Sequence, residues 1–207
     1  MNALKLAAVT IFHPMVAFTY MKKDRTKYDW RPVLVILGLL IFAKIFSLYF
    51  THYPLQSVDI KDANLVIECA VVVVPLISWV VASYAITTIL DGEVKLTECL
   101  TACCYSMLPY VYFTIPLTIC THLMDSGSAG TYSTIMTVAY VWILINMIVN
   151  LKVMNNYTVG KTVLVIILGL FTMVMLWAVV FLFYALSMRF ISFVSEVVQE
   201  IQFRIYY

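Results

Sequence analysis

Thr88-Ile89-Leu90-Asp91-Gly92-Glu93-Val94-Lys95-Leu96-Thr97-Glu98 is the one place in the middle of the chain where several charges collect. To its left runs Asn64 to Leu90, almost unbroken in apolar residues; to its right, after one polar turn, runs Leu100 to Met124. Two long apolar segments flanking a short charged turn read as two membrane-spanning helices joined at a membrane surface. Composition agrees. The 207 residues are 63% hydrophobic and 12% charged, with a mean hydropathy of +0.96, whereas soluble domains carry about 25% charged residues. Half the usual charge cannot cover a water-facing surface, so much of this surface faces lipid.

Working outward from the turn, Val33 to His52 is long enough to cross the hydrocarbon core, because twenty residues of helix rise about 30 Å. Leu65 to Leu90, with Pro75 inside it, is the second span. Glu93 to Met124 would measure roughly 48 Å as one helix. It is interrupted by Pro109 and Pro116 and divides into an amphipathic surface helix, Glu93 to Cys103, and a third span, Cys104 to Met124. Ser133 to Leu151 and Thr162 to Leu186 are the fourth and fifth spans. From Met188 to Tyr207, Phe190, Phe193, Val194, Val197, Val198, Ile201 and Ile205 recur at helical spacing with Glu196, Gln199, Glu200 and Arg204 between them. This is an amphipathic C-terminal helix too polar to cross a bilayer. Residues 1–31 hold six Lys and Arg and a break at His13-Pro14; they read as a short interfacial segment with its lysines among the headgroups. Lys5 and Leu6 to Phe12 form too short a core for a cleavable signal. The expected architecture is thus all-α and polytopic: a single membrane domain over 1–207, with five spans in 33–186 and interfacial helices at both ends.

Orientation follows from Lys and Arg beside the spans. Lys5, Lys22, Lys23, Arg25, Lys27, Arg31, Lys95, Lys152 and Lys161 fall on one side, and Lys61, Arg189 and Arg204 on the other, nine against three. The N-terminus is expected in the cytoplasm and the C-terminal helix on the outer side.

Few residues suggest chemistry. Lys44 and Glu68 lie inside the first and second spans toward the same surface, where an ion pair is the expected arrangement and an ion or proton relay the sharper one. His52 and His122 fall near one membrane face with Asp59, Asp62 and Asp125 in nearby loops, but without ligand-type spacing. The five cysteines, Cys69, Cys99, Cys103, Cys104 and Cys120, lie in or beside apolar runs and read as small hydrophobes. No nucleophile elbow, zincin motif, phosphate loop or dinucleotide fingerprint is present. The sequence therefore points to no enzyme, no cofactor, no metal and no nucleic-acid partner. At the turn, Asp91 and Glu93 suit the start of the next helix through its exposed N–H groups, and Gly92 suits a left-handed end to the second span. Together with Glu98, and with Tyr105 and Pro109 behind it, the turn is also a candidate partner contact.

Several short motifs, in order, resemble the Yip family of Ypt/Rab-interacting proteins. They are His13-Pro14 with Phe18 and Lys22-Lys23, then Ser78-Trp79, Asp91-Gly92-Glu93, Tyr105-Ser106-Met107-Leu108-Pro109-Tyr110, and Asn156-Tyr157-Thr158-Val159-Gly160-Lys161. The chain departs from the family pattern at Asn156, where a histidine is usual, and at Val94, where a glycine is. The resemblance implies a five-span membrane protein with a cytosolic N-terminus. Eukaryotic members act with small GTPases in vesicle traffic at Golgi and ER membranes, and carry a long cytosolic N-terminal region without counterpart here. The short form resembles the bacterial branch, often encoded near carbohydrate ABC transporters. It implies a bacterial cytoplasmic-membrane accessory or scaffold protein with ABC transporter permease subunits as partners; a small channel or transporter, or a trafficking factor, are the alternatives.

The charge bias has a direct test. In a background lacking the native cysteines, a single cysteine at Ser128 should react with an impermeant thiol reagent added to intact cells, and one at Glu93 should not; the reverse pattern would invert the orientation.

Overall fold

The computed structural model describes residues 3–23, 30–52 and 64–206. The connection that holds Asp59, Lys61 and Asp62 lies outside them, as do Arg25 and Lys27. Among the described residues eight α-helices follow one another: α1 (Ala3–Phe12), α2 (Pro14–Lys23), α3 (Trp30–Phe50), α4 (Leu65–Ile89), α5 (Leu96–Ser106), α6 (Leu108–Cys120), α7 (Ala129–Met154) and α8 (Val159–Tyr206). Among the described residues, five stretches are long and apolar enough to cross a membrane: Arg31–Phe50, Leu65–Ile89, Leu96–Leu123, Ala129–Met154 and Val159–Phe203. The protein is an all-α, polytopic membrane protein with additional flanking helices. The end that carries residues 90–95 and 155–158 is called the near face below, and the end that carries His52 and Thr121 the far face.

The third crossing differs from the sequence expectation. Residues 93–103 do not lie along the membrane as a surface helix. The crossing begins at Leu96, and α5 is the centre of the bundle, packed against α1, α3, α4, α6 and α7. Ala102, Cys103, Cys104 and Ser106 have no exposed surface, and Glu98, Cys99, Thr101 and Tyr105 are buried with them. The physical reason is side-chain size. Without a hydrophobic force between helices in lipid, close backbone approach over small residues carries the packing. Thr, Ala, Cys and Ser lower the hydropathy of α5 and so imitate a surface helix. Their polar atoms are satisfied within the helix, Thr101 Oγ1 donating to the Thr97 carbonyl at 2.7 Å and Ser106 Oγ to that of Ala102 at 2.8 Å. The break between α5 and α6 falls at Met107, with Pro109 in the first turn of α6, where a missing N–H costs nothing.

The N-terminal helices are also more deeply set than an interfacial pair. α2 packs on α7, and α1 on α2, α5 and α6. Ala17 and Phe18 are wholly buried. Trp142 Nε1 donates to the Ile11 carbonyl at 2.9 Å. Trp142 stands twelve residues before the end of α7 at Met154, about 18 Å along the helix from the near face. The His13 break therefore reaches roughly half-way into a 30 Å core, while Lys22 at the other end of α2 returns to the near face, beside Glu93. Phe12, Met15 and Val16 around the break are exposed, as lipid-facing residues at that depth should be.

α8 is a single helix of 48 residues, about 72 Å long. Its first half packs on α4, where a methyl group at Gly169 would lie 3.7 Å from the Trp79 ring. No break separates the fifth span from the amphipathic stretch that begins at Met188. Nothing between Leu186 and Ile205 is a proline or glycine, so the change in composition alters the surroundings of the helix and not its backbone.

Ala102 offers the clearest test of the packing. Ala102→Leu should destabilise the protein by about 1–3 kcal/mol, read as a lowered thermal midpoint in detergent. Leu168→Ala on the lipid-facing side of α8 should leave that midpoint nearly unchanged.

Candidate functional site

The near face is built from two helix ends that lock together. α4 ends at Leu90, and Asp91 takes the left-handed conformation with φ 54°. The Gly92 N–H then reaches back to the Thr87 carbonyl at 2.6 Å. α7 ends in the same way: Asn156 has φ 55°, its N–H points to the Val153 carbonyl at 3.4 Å, and the Tyr157 N–H donates to the Lys152 carbonyl at 3.0 Å. Both are Schellman-type caps, which satisfy the last carbonyls of a helix at a membrane surface. The left-handed residue is Asp91 and not Gly92, contrary to the reading of the sequence. Asp and Asn tolerate this region because the short polar side chain can hydrogen-bond locally. Gly92 is required for a different reason. A Cβ there would lie 2.7 Å from the Thr87 carbonyl oxygen and 2.8 Å from Asn155 Oδ1, so the two caps touch only because this position has no side chain.

Tyr157 completes the lock. Its ring is buried at the near face, and its hydroxyl is within reach of the carbonyls of Thr87 at 3.3 Å and Leu90 at 3.2 Å. The last carbonyls of α4 are thus satisfied from α7 as well as from its own cap. Burial, and secondarily the Asp91 carboxylate, push the Tyr157 phenol above its ordinary range, so it stays protonated and able to donate. Lys161 Nζ lies over the Tyr157 ring, 4.6 Å from its centroid.

Glu93 ties the N-terminal helices to this lock. Its Oε2 lies 3.2 Å from Lys22 Nζ at the end of α2, and the Asn156 amide nitrogen is 3.5 Å from both carboxylate oxygens. Three segments far apart in sequence, around Lys22, Asp91-Gly92-Glu93 and Asn155-Asn156-Tyr157, therefore meet at one point. The Glu93 side chain remains half exposed. Asp91 is exposed beside it.

The other candidate residues are placed differently. Glu98 is buried at the third position of α5 and accepts from the Lys95 N–H at 3.3 Å, which caps that helix. Tyr105 and Pro109 are buried at the α5–α6 break. Of the six candidate contact residues, Asp91 and Glu93 are the two that present a charge outward. Deeper in the membrane, Lys44 Nζ lies 3.0 Å from Glu68 Oε2, and both side chains are largely covered. At the far face the His52 and His122 rings stand 5.5 Å apart, and the His52 N–H donates to Thr121 Oγ1 at 3.1 Å. Among the described residues no group of three or more His, Cys, Asp or Glu is arranged to hold a metal ion.

Lys22, Asn155 and Tyr157 had no chemical signal of their own in the sequence. The available signal was collective: Lys22-Lys23, Asp91-Gly92-Glu93 and Asn156-Tyr157 are all among the short motifs of one family pattern, and they are the segments that converge here.

Fold and site together define a five-span α-helical membrane protein with a deeply set N-terminal helix pair and interlocked loops at one face. The chain belongs to the Yip1 domain family, whose model matches residues 8–194. No curated protein and no solved structure matches it significantly.

The lock predicts an unequal pair of neighbours. Gly92→Ala should lower stability by about 1–3 kcal/mol, since backbone must move to admit the methyl group. Asp91→Gly should stay within about 1 kcal/mol of the parent, because glycine accepts the left-handed region freely. Tyr157→Phe should cost about 1 kcal/mol through the unsatisfied carbonyls. Thermal unfolding of the purified chain in detergent measures all three.

Proposed function

We propose that this protein is a membrane scaffold that docks a second protein at the near face, through the half-exposed carboxylate of Glu93 with Asp91 beside it. One observation supports this most. Glu93 sits where α2, the α4–α5 turn and the α7–α8 turn meet, so a partner held there engages the N-terminal, central and C-terminal thirds of the bundle at once. The excess of Lys and Arg on this side supports a cytosolic location for it. An acidic spot within an otherwise basic cytosolic surface is a distinctive feature for electrostatic recognition.

The Yip1 domain match supports a partner of the trafficking type, a small GTPase at an internal membrane, better than it supports the permease of an ABC transporter. The transporter-associated reading, with a bacterial cytoplasmic membrane as its location, has no observation of its own to support it. A channel in its own right has less to support it, because Lys44 and Glu68 neutralise one another at 3.0 Å.

Glu93 also contacts Lys22, so docking must be separated from structure. Glu93→Lys sets a like charge against Lys22, whose side chain is only 18% exposed. A loss of stability above the about 1 kcal/mol of an exposed ion pair is therefore expected, and folded protein is confirmed by thermal unfolding before the partner is sought. Glu93→Lys should abolish recovery of the partner when the chain is purified in mild detergent after crosslinking and bound proteins are identified. The double change Lys22→Glu with Glu93→Lys restores the ion pair in reverse. Loss of the partner in the double variant supports docking at the carboxylate, and recovery of the partner would show that Glu93 acts only by holding α2.

A further inference from the structure

The near half of α3 forms one wall of a groove that the docking surface does not use. Arg31, Pro32, Val35, Ile36 and Leu39 share one side of that helix, and Ala7 of α1 closes the groove opposite, with Tyr105 and Leu108 of the α5–α6 break below. Its volume is about 320 Å³. The floor is buried, Ile36, Tyr105 and Leu108 each being less than a tenth exposed, while Val35 and Leu39 on the rim are 70% and 40% exposed. The groove therefore opens sideways, toward the region occupied by lipid chains. Eight residues separate Arg31 from Leu39, so it runs about 12 Å from the near face into the hydrocarbon layer. Apart from Arg31 its walls are apolar, and that one cation stands at headgroup depth, at the start of the span.

We propose that this groove is a binding site for a single anionic phospholipid of the near-face leaflet. One acyl chain lies along α3 between Arg31 and Leu39, and the phosphate sits on the Arg31 guanidinium. Polarity and depth carry the argument. A peptide segment entering the groove would bring backbone N–H and C=O groups into a space whose walls offer them almost no partners. A hydrocarbon chain brings none, and its charged end arrives where the groove has its one charge. Arginine matches phosphate geometry with paired N–H donors. Ala7 leaves room for the chain where a larger side chain on α1 would close the groove. The floor is the α5–α6 break itself, so an occupied groove would hold Tyr105 and Leu108 in their places and brace the one bend in the central crossing.

Native mass spectrometry of the full chain in detergent tests this, with phosphatidylglycerol and phosphatidylcholine of identical acyl chains added in parallel. The parent protein should retain one phosphatidylglycerol at about fivefold lower lipid concentration than phosphatidylcholine, the effect of one basic residue at the membrane surface. Arg31→Gln should erase that preference, lowering phosphatidylglycerol retention more than phosphatidylcholine retention, since both lipids lose the phosphate contact but only the anionic one loses a net charge attraction. Leu39→Trp, which fills the groove from an exposed rim position, should weaken retention of both lipids, and Val35→Trp repeats the test should Leu39→Trp fail to yield folded protein. Phe171→Trp, on the lipid-facing side of α8, should change neither. Equal retention of the two lipids by the parent, or equal effects of Leu39→Trp and Phe171→Trp, would overturn the proposal, as would a protein segment crosslinked from position 39 in place of lipid.

Discussion

The structure depends on how α4 and α7 end. A helix that reaches a membrane surface leaves carbonyls without partners, and just inside that surface there is little water to satisfy them. Here each end is closed by its own left-handed residue, Asp91 or Asn156, and the two ends then close each other. Tyr157 lends its hydroxyl to the carbonyls of α4, and Gly92 allows the contact by having no side chain. This sets the spacing of α4 and α7 at the near face, and with it the place where α5 enters the bundle. It also fixes the point at which Lys22 can meet Glu93.

α5 is where that constraint is used. With its entry fixed, a helix of eleven residues lies against five others. Only small side chains permit this, since helices in lipid associate through close packing and not by exclusion of water. The same smallness lets polar atoms be satisfied locally, so Thr101 and Ser106 add no unpaired groups to the core. The bend at Met107 then redirects the chain. α5 and α6 together make one crossing, and Tyr105 and Leu108 at the bend form the floor of the groove beside α3.

Function in such a protein is a matter of surfaces. The near face offers a half-exposed carboxylate at the junction of three segments, and the side of α3 offers an apolar groove with a single cation at its mouth. The first suits a soluble partner on one side of the membrane, and the second suits a lipid within it. Both surfaces lie within the residues that the Yip1 domain model matches, 8–194, Glu93 in one and Tyr105 in the other. The far half of α8, exposed along its length, adds a long helical extension that leaves the packed part of the bundle unchanged.

The sequence by itself determined what depends on composition and on local period. Five apolar stretches, the turn around Asp91, the placement of Pro14 at a helix start and the charge bias were all legible, because lipid solvation and helix length act on each segment separately. The proximity of Lys44 to Glu68 could also be anticipated, from their matching depth on consecutive spans. Three things were decided only by tertiary structure. The first is the burial of α5: low hydropathy has two causes, an aqueous surface or a crowded core of small residues, and the segment alone does not distinguish them. The second is the depth of α1 and α2, set by Trp142 and the face of α7, which are more than a hundred residues away. The third is the role of Gly92. The sequence suggested a backbone conformation, but glycine is needed because a Cβ would meet both the Thr87 carbonyl of its own cap and Asn155 at the end of α7, and the second of these, a contact between distant segments, is information that no local pattern carries.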